Sequence, residues 1–408
     1  MIFATSDGIS QHTMDDNPQR PTHILVECVD LLPSVRLGVL APLHPLEEQG
    51  RCVVRFKETA TIVATDIEWC DILICVRGFW IRSLRLAQAA KEHGRLVMYF
   101  LDDDLLGIPR EVPSGEYLRT KTVRKTILEI LALADALWCV NERLAEKMKR
   151  WHTGKTIMGK VPAEPLCEVN EESDRLRILY AGSTDHRAIV DQYLLPALEQ
   201  VHAQWGNRVL IDIIGPQISR DYSFVRSLKY FDNYECYEDH LAKTGYHIGL
   251  APILTSEFYA CKYFNKFIEY SRFGIAGIYT RSEPYTQIVD DEKNGFLCEN
   301  TVEDWVAAIT RVVENDHTRK RCAREAQRQL KEEFNPAAVS TQLCSECVEL
   351  VTYRAPSAVV ERLPHDAGFF GHYFTICKII WIEEGIRAIP IIIGKACKLI
   401  MKSIRGQR

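Results

Sequence analysis

Short apolar runs alternate with longer amphipathic stretches along most of the chain. His23–Cys28 ("HILVEC") opens the series, and "CVVRF", "DILICV", "RLVMYF" and "ALWCV" follow. Each is rich in Val, Ile and Leu, the mark of strands buried on both faces. Amphipathic stretches over Ile81–His93 and Thr120–Ala134 fall between the later runs. Short buried strands alternating with helices predict a parallel sheet covered on both sides. The polar segment near Glu164–Arg175 interrupts the pattern and reads as a linker. The alternation restarts at Ile178–Gly182, followed by a helix over Ala188–Trp205. "VLIDIIG", His247–Ile253, a helix over Lys262–Phe273 and "AGIYT" come next. Helices over Val302–Asn315, His317–Glu333 and Pro336–Tyr353 complete it.

This pattern predicts an α/β protein of two doubly wound, Rossmann-like domains facing a cleft. The expected divisions are a flexible leader (1–21), a first domain (22–165), a second domain (175–335), a helical segment (336–354) and a tail (355–408). Ligands of such sheets bind beyond the carboxyl ends of the strands. The cleft between two of them is therefore the expected site.

Composition narrows the function. With 47% apolar and 26% charged residues, the chain has a globular composition. A net charge of −5 argues against a broad nucleic-acid-binding surface. The 14 cysteines are scattered, and the one close pair, Cys344 and Cys347, lies in a helical pattern without a second pair at zinc spacing. They read as buried thiols in a reducing compartment. The leader lacks the apolar core of a secretory signal. The tail from Phe369 carries seven Lys/Arg against two Glu among many Ile, Phe and Trp. Lys395, Lys398 and Lys402 fall on one helical face. A basic amphipathic segment of this kind suits either a membrane surface or packing on the protein body or a second subunit.

Two stretches carry candidate chemistry. Asp102, Asp103 and Asp104 stand directly after the run "RLVMYF", at the cleft edge, and cannot all be buried and ionised without partners. In the predicted helix from Lys262, the residues Lys262, Asn265, Lys266 and Glu269 share one polar stripe, opposite Tyr263, Phe264, Phe267 and Ile268. Free N–H groups and the helix dipole favour an anion at its start. That suits a nucleoside diphosphate, with Glu269 one turn further in to accept bonds from ribose hydroxyls. The same stripe also fits a solvated face with a Lys266–Glu269 pair.

The run "KFIEYSRFGIAGIYTRSEPYTQIVDDEKNGFLCENTVEDWVAAI" resembles the donor-binding half of GT-B glycosyltransferases, in particular the retaining enzymes of glycosyltransferase family 4 (group 1). "ILYAGSTDHRAIVDQYLLPAL", "MYFLDDDLLGIP" and "PSVRLGVLAPLHPLEEQG" are similar to turns and a first loop of a subgroup of that family. The resemblance spans about residues 23–350. It implies that the first domain takes the acceptor, the second binds the nucleotide sugar, and the 336–354 helix crosses back to brace the first domain. It implies that Glu269 holds the ribose, with Lys262, Lys266, Asn265, Arg187 and Tyr285 near the donor. Gly182, Ser183 and His186 would form a turn beside the diphosphate. Asp103 and Asp104 would lie near the donor sugar or acceptor, making Asp103, Asp104 and His186 the catalytic candidates. Ser34 and Arg36 are candidate first-loop contacts, although a Ser at such a position also serves as a helix cap.

There are two departures from the family. The earlier of its paired glutamates is Cys261 here. Its glycine-rich first loop is replaced by Leu31-Leu32-Pro33-Ser34. The expected function is transfer of a sugar from a nucleoside-diphosphate sugar, with retention, to a glycan or lipid-linked acceptor in polysaccharide or glycolipid synthesis. Lysines and a helix terminus offset the phosphate charge, so no metal or other cofactor is expected. The expected location is the cytoplasm, peripheral on the inner membrane face. Two alternatives remain open: a sugar-nucleotide epimerase using Asp103 and His186, and a degenerate transferase serving as a binding subunit.

Overall fold

The computed structural model describes residues 20–112, 115–172, 174–183, 187–216, 218, 220–231, 233–361, 363 and isolated positions between 377 and 394. Two six-stranded parallel sheets follow one another along the chain. The first contains β1 (Thr22–Cys28), β2 (Cys52–Glu58), β3 (Ile72–Val76), β4 (Leu96–Leu101), β5 (Ala136–Cys139) and β6 (Lys155–Met158), in the order β2-β1-β3-β4-β5-β6. The second contains β7 (Leu176–Ala181), β8 (Val209–Gly215), β9 (Val225–Lys229), β10 (Ile248–Ala251), β11 (Ala276–Thr280) and β12 (Phe296–Cys298), in the order β12-β11-β10-β7-β8-β9. The strand order reverses direction between β1 and β3 and between β7 and β10. These switch points open crevices at the carboxyl ends.

The central strands are the apolar runs of the sequence. Every residue of β3, β5, β10 and β11 is buried, as parallel strands covered on both faces must be. Phe100 of β4 and Trp138 of β5 pack edge to face, with ring centroids 5.4 Å apart. Burying side chains of this size contributes roughly 1.5–3 kcal/mol each. That packing anchors the strand ends from which Asp102–Asp104 and Asn141 emerge. Gly38, in the helical segment after β1, lies against the same Phe100. A Cβ there would be 2.5 Å from the ring, so the first-loop helix can sit directly on the sheet.

Several predicted elements need correction. The helix expected from Lys262 starts at Asn265 and ends at Arg272. Before it stands a short helix, Glu257–Ala260, capped by the Ser256 side chain. The chain breaks between them at Phe264 (ψ 47°), whose ring stacks on Tyr263 at 4.1 Å. The expected Pro336–Tyr353 helix is divided into Pro336–Glu346 and Glu349–Thr352 at Cys347, which leaves the helical conformation (φ −145°, ψ 81°). Its first part packs on Ala41–Glu48 and its second on β1 of the first domain. Elements not read from the pattern include β6, β9 and the helices Ala64–Trp69, Glu142–Met148 and Tyr234–Thr244. β9 ("VRSLK") is an edge strand with no fully buried position, so no apolar run marks it.

Among the described residues no helix is long and apolar enough to cross a membrane. Lys395, Lys398 and Lys402 of the predicted basic face lie outside the described residues. Of the tail positions that are described, Trp381, Ile382, Ile389 and Ile393 are exposed.

Candidate functional site

A cavity of about 700 Å³ lies between the two domains at the carboxyl ends of the sheets. The segment after β1, with Leu31, Pro33, Arg36 and Leu37, forms one wall. The other wall comes from the ends of β7 and β8, the 230–237 segment and the helix Asn265–Arg272. Gly182 and Gly215 bring the two strand ends together backbone to backbone. Gly215 has φ +104°, and a Cβ there would lie 2.0 Å from the Gly182 carbonyl oxygen. Only glycine tolerates that combination. Gly182 and Ser183 line the cavity beside this contact.

Glu269 is one turn inside its helix and lines the cavity with Lys266. Its Oε1 accepts hydrogen bonds from Tyr237 Oη at 2.8 Å and Lys266 Nζ at 2.6 Å. Both bonds land on one oxygen, so Oε2 takes no part in them. Burial and the Glu269 carboxylate push the Tyr237 hydroxyl well above its ordinary value, so it remains a donor. Tyr230, Phe231 and Tyr234 supply aromatic surface nearby, and Tyr230 is 65% exposed. The arrangement pairs a rigidly held carboxylate and an ammonium with an aromatic wall. It suits a ligand with hydroxyls, an anionic group and a flat ring.

A narrower recess of about 180 Å³ continues past Asn265 to Ser34 and Asp102. Of the three aspartates only Asp102 lines it, and each of the three takes different partners. Asp102 accepts from Ser34 Oγ at 2.5 Å and lies 3.4 Å from Arg77. Asp103 meets Lys262 Nζ at 2.7 Å and Arg77 at 3.2 Å. Asp104 is fully buried. It pairs with Lys147 Nζ at 2.7 Å and accepts from the backbone N–H groups of Leu106 and Gly107 at 3.2 and 2.9 Å.

Asp104 therefore closes the turn that follows β4. Burial pushes the Asp102 carboxyl up, and Arg77 only partly offsets this. Burial works the same way on Asp103, but Lys262 and Arg77 outweigh it and hold that carboxyl below its usual range. Arg77 itself sits at φ +50°, unusual for a residue other than glycine.

The structure thus gathers Gly182, Ser183, Lys266, Glu269, Asn265, Arg36 and Ser34 around one continuous space. Lys262 is not on the Lys266–Glu269 stripe, because its segment precedes the helix. It reaches across the cleft to Asp103 instead. Ser34 is not a helix cap; Leu32 holds that position, and Ser34 bonds Asp102. Arg187 turns to Asp191, with Nε to Oδ2 at 3.2 Å, and is half exposed. Tyr285 is buried against Tyr279, with ring centroids 4.8 Å apart. His186 lies outside the described residues. Sequence reasoning missed Arg77, Tyr237 and Lys147. Arg77 had a visible signal: a cation directly after the apolar run "ILICV", at the same kind of strand end as the aspartates.

Residues 266–329 match the profile of the family described as glycosyl transferases group 1. No curated protein sequence matches the chain. Among solved structures, sucrose-phosphate synthase from Thermosynechococcus elongatus is 12% identical, with a TM-score of 0.60 over 81% of this chain and 99% of its own. Anabaena HepE, solved with UDP and glucose, is 12% identical, with a TM-score of 0.59 over 81% and 100%. A glycosyltransferase from Rickettsia africae is 11% identical, with a TM-score of 0.55 over 82% and 100%. At these identities the likeness is one of fold. The 266–329 segment is similar to the group 1 glycosyl transferases, and the chain shares the two-domain fold of these solved glycosyltransferase structures.

Proposed function

We propose that this protein transfers a sugar from a nucleoside-diphosphate sugar to a glycan or lipid-linked acceptor, with retention of configuration. The observation that carries the reading is the Glu269–Lys266–Tyr237 cluster in an inter-domain cavity of about 700 Å³. Glu269 accepts from the ribose hydroxyls, and Lys266 faces the diphosphate. The aromatic wall after β9 takes the base. HepE, solved with UDP and with UDP-glucose, is a precedent for such a donor on this fold. Departure of a nucleoside diphosphate builds negative charge, and cations placed in advance stabilise it. Lys266, supported by the start of its own helix, supplies that charge without a metal ion. Asp102 and Ser34 line the route from the donor to the first domain, and with the adjacent Asp103 they orient hydroxyls of the sugar or acceptor. The basic tail holds the enzyme at an anionic membrane, where a lipid-linked acceptor for polysaccharide or glycolipid assembly resides.

A panel of labelled sugar nucleotides tests the proposal. Slow hydrolysis of one donor, or its transfer to an added acceptor, supports it. Conversion to an epimer, or binding with no turnover across a panel of acceptors, overturns it.

A further inference from the structure

Asn141 stands two residues after β5 and caps the helix Glu142–Met148 of the first domain, yet its side chain reaches the second. It is 3% exposed. Its Oδ1 accepts from Leu144 N at 3.0 Å, which caps the helix. Its Nδ2 donates to the carbonyl oxygens of Lys262 at 2.8 Å and Ala260 at 3.1 Å. A carboxamide has one acceptor oxygen and two N–H donors. Asn141 spends the oxygen on its own domain and both donors on the other. A buried carbonyl left without a donor costs free energy, so these bonds tie the 260–262 turn to the first domain.

The turn so held has two outputs. It aims Lys262 Nζ at Asp103 across the cleft, at 2.7 Å. It also sets where the helix Asn265–Arg272 begins, and so where Lys266 and Glu269 enter the cavity. The same short helix makes a second tie: Lys147 pairs with Asp104 at 2.7 Å and with Glu257 at 3.1 Å. A third pairs Arg143 with Glu283. The aspartate turn and the 257–262 segment are thus fastened to one element.

We infer that Asn141 is a positioning residue. By holding the carbonyls of Ala260 and Lys262 it sets the Lys262–Asp103 bridge and the placement of Lys266 and Glu269 for the nucleotide. The second half of this assignment rests on the proposed donor site; the clamp itself does not.

The chemistry allows the cap and the clamp to be separated. Asn141→Asp keeps an oxygen for Leu144 N, and Asp caps a helix as well as Asn does, but it has no N–H to donate. Asn141→Ser also keeps the cap and adds no charge. The full-length protein and both variants are compared by hydrogen exchange and by calorimetry with UDP, GDP and ADP. In both variants exchange at residues 261–268 should rise about thirtyfold, as expected for two lost hydrogen bonds. Protection of residues 142–148 should not change. Affinity for the nucleotide that binds wild type should fall about tenfold.

Wild-type exchange at 261–268 in both variants would overturn the clamp. Faster exchange with unchanged nucleotide affinity would overturn the positioning role. An effect confined to Asn141→Asp would trace to the new charge and overturn both. If none of the three nucleotides binds wild type, the proposed donor site fails, and the exchange result alone still decides the clamp.

Discussion

Glu269→Gln is the most direct test of the donor reading. The carboxylate Oε1 accepts from Tyr237 Oη and Lys266 Nζ, and only Oε2 lies outside those bonds. A ribose hydroxyl bound there donates to a charged acceptor, a bond worth roughly 1.5–3 kcal/mol. Glutamine retains an oxygen but loses the charge, and its N–H group faces hydroxyls that must turn to accept. At 1.4 kcal/mol per tenfold, nucleoside-diphosphate affinity should fall about 10- to 150-fold. One compensation works against this. The Lys266 ammonium, no longer paired with Glu269, attracts the diphosphate more strongly, so the effect should lie toward the lower figure at low salt and grow at high salt.

Stability should change little. The Lys266–Glu269 pair is an i,i+3 contact with both side chains partly solvated, and such pairs contribute about 0.3–0.5 kcal/mol. Calorimetry at two salt concentrations and a melting curve make the measurement. Unchanged affinity with a normal melting curve would refute the assignment of Glu269 to the ribose.

Three further outcomes are expected. Asp103→Ala should reduce transfer while leaving nucleotide binding, and excess EDTA should leave transfer largely intact; loss with EDTA and recovery with magnesium or manganese would establish a metal requirement. Deleting residues after Gly368 should leave the two-domain body folded and lower sedimentation with anionic liposomes in a salt-sensitive way, at about 1 kcal/mol per Lys or Arg near the surface. Equal sedimentation of both forms would place the tail on protein instead. His247 is fully buried, and its Nδ1 accepts from Arg177 N at 3.0 Å. Burial, aided by Arg319, lowers it from 6.5 to about 4. The unfolded chain therefore binds the proton first, so this contribution is present above pH 6.5 and is lost as pH falls toward 4. The linkage amounts to about 3 kcal/mol. His247→Gln should flatten the melting temperature over that range, and an unchanged slope would show that other groups produce it.

The alternation of apolar runs with amphipathic stretches was enough to read two parallel α/β units. Strands such as "ILICV" and "AGIYT" are buried on both faces and carry their own signature. Glu269 and Lys266 were legible for a related reason, since helical spacing alone puts them on one face. Elsewhere the local pattern misled. Lys262 continues the same stripe in sequence, but Phe264 stacks on Tyr263 and delays the helix to Asn265. A long ammonium side chain placed before a helix goes where its charge is matched, and the match is Asp103, 159 positions away. β9 and the helix that brings Tyr237 were invisible because an edge strand and a solvated helix bury too little to leave an apolar run. Asn141 and Lys147 belong to the same class. Each is polar and unremarkable in its own stretch, and each acquires its partner only when two strand ends or two domains meet. Periodicity reports which face of an element leaves water; it carries no information about which distant charge or carbonyl will be waiting there.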